Sequence, residues 1–126
     1  MLLRLWPALR AHGVRFVCNA GGLNPRGAAL AVLEAFERKG WRARVAVVTG
    51  DDVLPRLLDA SAGPGRHAHL FTGEPVDAVR ERLVFANAYL GARPSVDALA
   101  LGADIVITGR VADAALTLAP LVHGLG

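Results

Sequence analysis

The chain has 126 residues, of which 53% are hydrophobic and 20% charged, and its 14 basic and 11 acidic residues leave a net charge of +3. This length allows one hydrophobic core of ordinary size, and the composition excludes a disordered chain. A single cysteine excludes a disulfide framework and a metal site built from several thiolates.

Neither a membrane nor a nucleic acid is an expected partner. The longest stretch without Asp, Glu, Lys or Arg runs from Ala114 to Gly126, which is too short to span a bilayer. The sequence pI is about 10.0, but the basic residues are scattered among acids and no aromatic residues interleave with them. We therefore expect a cytoplasmic protein whose small positive excess suits a small anionic ligand.

Four short apolar runs, bounded by turn residues, alternate with helical patterns along the chain. An amphipathic pattern from Pro25 to Gly40 predicts a helix, Asp51 or Asp52 can cap a short helix after the second run, and Pro94 opens a further helix that Gly102 closes. Residues 61–76 are predicted to form a loop. The predicted strands are residues 14–18, 43–48, 83–86 and 104–108.

This alternation predicts an α/β fold, a partial three-layer Rossmann-like parallel sheet with helices on both faces, in one domain over residues 1–126. Parallel strands end at the same edge of a sheet, where open α/β folds bind ligands. The loops that follow the four strands therefore hold the candidate ligand-binding residues: Asn19, Gly21, Gly22, Asn24, Asp51, Asp52, Asn87, Tyr89, Thr108, Gly109, Arg110 and Asp113.

Three of these loops allow both a functional and a structural interpretation. The Asn19-Ala-Gly-Gly-Leu-Asn-Pro25 segment suits an anion-binding turn at a helix start, or a tight turn that uses Gly and Asn for its backbone geometry. Asp51 and Asp52 are candidate functional carboxylates, or helix caps. Arg110 can clamp a carboxylate or phosphate, or can pair with Asp113.

The sequence shows no catalytic constellation and no metal site. His67 and His69 lie in the predicted loop without a third ligand nearby, and Cys18 ends a strand, where a small buried residue is common. No cofactor is evident. The catalytic residues, and whether the protein is an enzyme, stay open at this point.

Five segments together resemble the acyclic terpene utilisation A family, which is also catalogued as a domain of unknown function. They are Asn19–Pro25, Gly50-Asp-Asp-Val-Leu-Pro-Arg56, Thr72-Gly-Glu74, Ala86-Asn-Ala-Tyr-Leu-Gly-Ala92 and Gly102-Ala-Asp-Ile-Val-Ile-Thr-Gly-Arg-Val-Ala-Asp113, the last continued by Leu118–His123. Members of the family are several times longer, so we expect this chain to be a fragment of the family's N-terminal domain.

The resemblance implies a role in the catabolism of acyclic isoprenoids such as citronellol and geraniol. It implies an acyl-CoA or terpenoid carboxylate as ligand, and acyl-CoA carboxylase pathway proteins, or a second copy of the chain, as partners. Three functions stay open: an enzyme or enzyme subunit, a non-catalytic accessory module that binds such a ligand, and a truncated fragment without independent activity.

Overall fold

The computed structural model describes residues 1–59 and 67–125. Its elements, in chain order, are α1 (Leu2–Ala11), β1 (Phe16–Cys18), α2 (Pro25–Glu37), β2 (Val45–Val48), α3 (Leu54–Leu58), a 3₁₀ helix (Val76–Arg82), α4 (Arg93–Ala100), β3 (Ile105–Thr108) and α5 (Asp113–Leu125). Contacts divide the chain into two compact units. Residues Met1–Asp51 and Tyr89–Gly126 form the first, and Asp52–Ala88 form the second.

The first unit contains a parallel sheet whose strand order is β1-β3-β2. The last strand in sequence therefore lies in the centre, with Cys18 of β1 opposite Ile107 and Val48 of β2 opposite Thr108. All four residues of β3 are buried, as a strand covered on both faces requires. The predicted parallel α/β fold is confirmed.

Helices cover both faces of this sheet. Successive side chains of a strand point to opposite sides, so the apolar strands present apolar side chains on both faces. Ile105 and Ile107 pack on one face with Trp6 of α1 and with Ala29 and Phe36 of α2. The centroids of the Trp6 and Phe36 rings are 4.8 Å apart, which ties α1 to α2.

The opposite face of the sheet is covered by α4 and α5. Val106 of the central strand and Val48 of β2 pack there with Leu99 of α4 and Ala119 of α5. The small Ala119 is fully buried at this contact, so α5 can approach the sheet closely. The three layers of the sequence prediction are therefore present in the first unit.

The ends of α2 and α4 lie close to the proline and glycine residues that predict them. Pro25 occupies the first turn of α2, and Pro94 occupies the first turn of α4. Gly40 and Gly102 have positive φ angles of 66° and 82° shortly after these helices, a conformation that glycine adopts without steric cost.

One strand prediction is wrong. Residues 83–86 form no strand, and Val84 and Phe85 are 84% and 64% exposed. The apolar run follows a 3₁₀ helix, Val76–Arg82, and pairs with no strand in the described part of the chain. Four apolar residues without a neighbouring strand gain no ladder hydrogen bonds and at most partial burial, so their β-propensity alone is not sufficient.

The second unit is held by local contacts. The Arg80 guanidinium donates to the Leu58 carbonyl at 2.6 Å, which joins the 3₁₀ helix to the end of α3. Ala68 and Pro75 form an isolated antiparallel bridge within the predicted 61–76 loop. The part of that loop at residues 61–66 lies outside the described residues, and its end differs from the prediction because Val76 already begins the 3₁₀ helix.

Candidate functional site

The loops after β1, β2 and β3 meet at the carboxyl edge of the sheet in the first unit. Because β3 is central, the loop from Gly109 to Ala112 lies between the Asn19–Asn24 turn on one side and Asp51 on the other. A cleft of about 230 Å³ opens at this edge. Its walls are formed by Asn19, Tyr89, Arg110, Val111, Ala112 and Asp113.

The Asn19–Asn24 turn is packed directly against the end of the central strand. A Cβ atom on Gly21 would lie 2.6 Å from Pro25 Cβ and would also collide with the Thr108 carbonyl oxygen. Only glycine therefore fits at this position. Gly22, with φ 53°, donates its N–H to the Asn19 carbonyl at 3.2 Å and closes the turn.

Asn24 has a structural contact in this turn. Its Oδ1 accepts the Gly27 N–H at 2.9 Å and thereby caps the N-terminus of α2. The Asn19 side chain, by contrast, lines the cleft, and it makes no hydrogen bond to any residue that the structure describes. Of the two asparagines, Asn19 is therefore the one whose side chain is not already used within the turn.

Asp51 lies beneath the loop that carries Arg110. Its side chain is buried, with only 4% of the residue exposed, and Oδ2 accepts the Arg110 backbone N–H at 2.8 Å. A Cβ on Gly109 would lie 2.6 Å from the carboxylate carbon of Asp51. The absence of a side chain at Gly109 thus allows the carboxylate to reach the backbone and fix the loop.

Arg110 is oriented by Tyr89. An Nη2 atom of Arg110 donates to the Tyr89 hydroxyl at 2.6 Å, and the guanidinium carbon lies 5.0 Å from the centre of the tyrosine ring. Tyr89 is held in place because its neighbour Leu90 exchanges backbone hydrogen bonds with the Arg110 carbonyl (3.2 Å) and the Ala112 N–H (3.0 Å). No hydrogen bond or ion pair joins Arg110 to Asp113, so the proposed pairing of these two residues is not formed.

The remaining candidates have other positions. Thr108 is fully buried, and its hydroxyl donates to the Gly109 carbonyl at 3.0 Å, so its contact is structural. Asp52 and Asn87 belong to the second unit, where they form an isolated antiparallel bridge. The Asp52 carboxylate accepts the Leu54 N–H at 3.0 Å and supports the start of α3 from the residue before the N-cap, which is Val53 and not Asp52.

The cleft contains two residues that the sequence analysis did not select. Val111 and Ala112 connect Arg110 to Asp113 and line the cleft between the end of β3 and the start of α5. In the sequence they lie between Arg110 and Asp113, which were both predicted, and this position is the signal that could have identified them. Within residues 1–59 and 67–125, no three His, Cys, Asp or Glu side chains are close enough to hold a metal ion.

One protein family matches the whole chain, including the segments that form the cleft. The family described as "Acyclic terpene utilisation family protein AtuA" matches the chain over residues 1–126. The chain belongs to this acyclic terpene utilisation family. No curated protein and no solved structure gives a significant match. In the described residues of this family member, no helix is both long and apolar enough to cross a membrane.

Proposed function

We propose that the cleft at the carboxyl edge of the sheet binds the anionic head group of an acyclic terpenoid acid or of its CoA ester. The family is named for acyclic terpene utilisation. A terpenoid acid carries a carboxylate and its CoA ester carries phosphates, so both are anions of the chemistry that this name suggests. The proposal concerns binding, and it applies equally to an enzyme subunit and to an accessory module.

The observation that carries the proposal is the position of the Arg110 guanidinium in the cleft. The Tyr89 hydroxyl and ring hold one side of the guanidinium, and no carboxylate of the described residues neutralises it. Arginine presents several N–H donors in a planar fork, which matches a carboxylate or a phosphate. A fixed cation beside an open cleft is therefore available to an anion.

Two further groups support an anion at this place. The Asn19 side chain lines the same cleft and can donate through its amide nitrogen. Helix α5 begins at Asp113 on the cleft wall, and the first N–H groups of a helix carry a partial positive charge. All three contributions come from segments that β1 and β3 bring to one edge.

The size of the cleft argues for a head group rather than an entire ligand. Its volume of about 230 Å³ is smaller than the roughly 300–1,000 Å³ of pockets that enclose a small molecule. A carboxylate or phosphate with a few neighbouring atoms fits this space. The isoprenoid or nucleotide part would extend beyond the cleft.

Calorimetric titration of the full chain tests the proposal. Geranate, geraniol, geranyl-CoA and free CoA would be titrated into the wild type, into Arg110→Ala, and into Arg93→Ala as the control. Arg93 is exposed on α4, pairs with Asp97 and does not line the cleft. Loss of a charge-assisted contact at an exposed arginine is expected to weaken binding about tenfold.

Comparing these ligands shows whether the cleft binds the carboxylate of the acid or the phosphates of CoA. Binding of geranate and not of CoA would support the carboxylate, whereas binding of free CoA would support the phosphates. In either case Arg110→Ala should weaken binding and Arg93→Ala should not. If no anion binds, or if Arg110→Ala binds as tightly as the wild type, the proposal is wrong.

A further inference from the structure

The cleft carries two opposite charges that do not neutralise each other. Arg110 and Asp113 both line it, three residues apart, and the guanidinium of Arg110 contacts Tyr89. Asp113 has no side-chain hydrogen bond or ion pair to any residue in the described part of the chain. Each charge is thus available to a different group of one ligand.

A simple carboxylate interacts favourably with only one of these two charges. It is attracted by Arg110 and repelled by Asp113, which offers only acceptor oxygens when ionised. A ligand that also carries a hydrogen-bond donor turns the second interaction into an attractive one, because a hydroxyl can donate to the carboxylate. Asn19 and Tyr89 each have both a donor and an acceptor, so they suit either group.

We propose that the ligand is a hydroxy acid, with its carboxylate on Arg110 and its hydroxyl donating to Asp113. This inference rests on the proposed function, because it concerns the same cleft. It narrows the ligand from any anion to an anion with a hydroxyl one or two carbons from the carboxyl group. That spacing follows from the small volume of the cleft, which both groups must share.

A structural role of Asp113 makes a different prediction. An acidic residue in the first turn of a helix stabilises it through the helix dipole, and Asp113 occupies the first turn of α5. If this were its only role, replacing Asp113 would lower the melting temperature. It would leave the preference between two ligands that differ by one hydroxyl unchanged.

The experiment compares octanoate with 2-hydroxyoctanoate and 3-hydroxyoctanoate by calorimetric titration of the full chain. The wild type is expected to bind at least one hydroxy acid about five- to tenfold more tightly than octanoate, which is less than the usual value of one hydrogen bond to a charged group because Asp113 is exposed to water. In Asp113→Ala that preference should disappear, and the affinity for octanoate should stay equal or rise. Asp77→Ala in the 3₁₀ helix is the control and should keep the preference.

The outcomes separate this inference from the proposed function. If Arg110→Ala weakens octanoate binding but the wild type shows no preference for a hydroxy acid, the proposed function stands and this inference is wrong. The inference is equally wrong if Asp113→Ala changes the melting temperature and keeps the preference. If none of the three acids binds, this inference is wrong, whereas the proposed function still stands if free CoA binds the wild type and Arg110→Ala weakens that binding.

Discussion

The buried carboxylate of Asp51 accepts the backbone N–H of Arg110 at 2.8 Å, although 59 residues separate the two in sequence. This bond links the end of β2 to the loop after β3, two neighbouring strands of the sheet. Asp51 therefore supports the cleft without lining it, and Arg110 is fixed at both its backbone and its side chain. We regard Asp51 as a positioning residue rather than a ligand contact.

Replacing Asp51 should destabilise the protein far more than replacing its neighbour Asp52. Asp51→Ala removes a buried carboxylate and leaves the part-buried Arg110 N–H without its acceptor, at a cost of about 1–3 kcal/mol. Asp52 is exposed and its side chain accepts, among the described residues, only the Leu54 N–H, so Asp52→Ala should cost about 0.5–1 kcal/mol. Urea denaturation of the two variants measures the difference. Equal losses would show that the bond to Arg110 contributes little.

A methyl group at Gly109 should disturb the same contact from the other side. Gly109→Ala places a Cβ 2.6 Å from the Asp51 carboxylate carbon, and overpacking of this kind costs about 1–3 kcal/mol. Gly91→Ala is the matched control, because no atom lies within 4 Å of its added Cβ. We expect the melting temperature to fall for Gly109→Ala and to change little for Gly91→Ala. A normal melting temperature for Gly109→Ala would contradict the packing argument.

The fold could be predicted where local pattern and burial agree. Residues 105–108 are all β-branched and three of them are apolar, and Ile105–Thr108 form the fully buried central strand. Residues 83–86 are also apolar, but Val84 and Phe85 are exposed and the run pairs with no described strand, because pairing depends on a partner that composition does not specify. The order β1-β3-β2 depends on long-range packing in the same way and has no local signal.

The candidate site was predictable at the level of loops but not of side chains. Parallel strands bring Asn19, Asp51 and Arg110 to one edge, as the topology requires. Which side chains face the cleft depends on turn geometry. Tyr89 lines the cleft through the pairing of Leu90 with Val111, and not through the strand predicted at 83–86.

Of the two asparagines in the Asn19–Asn24 turn, we expect Asn24 to affect the stability of the protein and Asn19 to affect ligand binding. Asn24→Ala removes the cap of α2 and should cost about 1 kcal/mol of the free energy of unfolding, with little effect on the affinity for geranate. Asn19→Ala removes a cleft side chain that has no hydrogen-bond partner among the described residues. It should leave the melting temperature unchanged and weaken geranate binding. Melting curves and titrations of both variants check this, and a loss of stability in Asn19→Ala alone would reverse the assignment.

Tyr89 offers the most direct test of how Arg110 is held. Tyr89→Phe keeps the ring beneath the guanidinium but removes the hydroxyl that accepts the Arg110 N–H at 2.6 Å. Because both side chains are exposed, water replaces part of the lost hydrogen bond, and we expect geranate affinity to fall only about two- to fivefold. Tyr89→Ala removes the ring as well and should weaken binding further. The arginine itself stays in both variants, so a loss of affinity measures its orientation and not its charge. If Tyr89→Ala binds geranate as tightly as the wild type while Arg110→Ala does not, the guanidinium needs no support from the ring, and Tyr89 only borders the cleft.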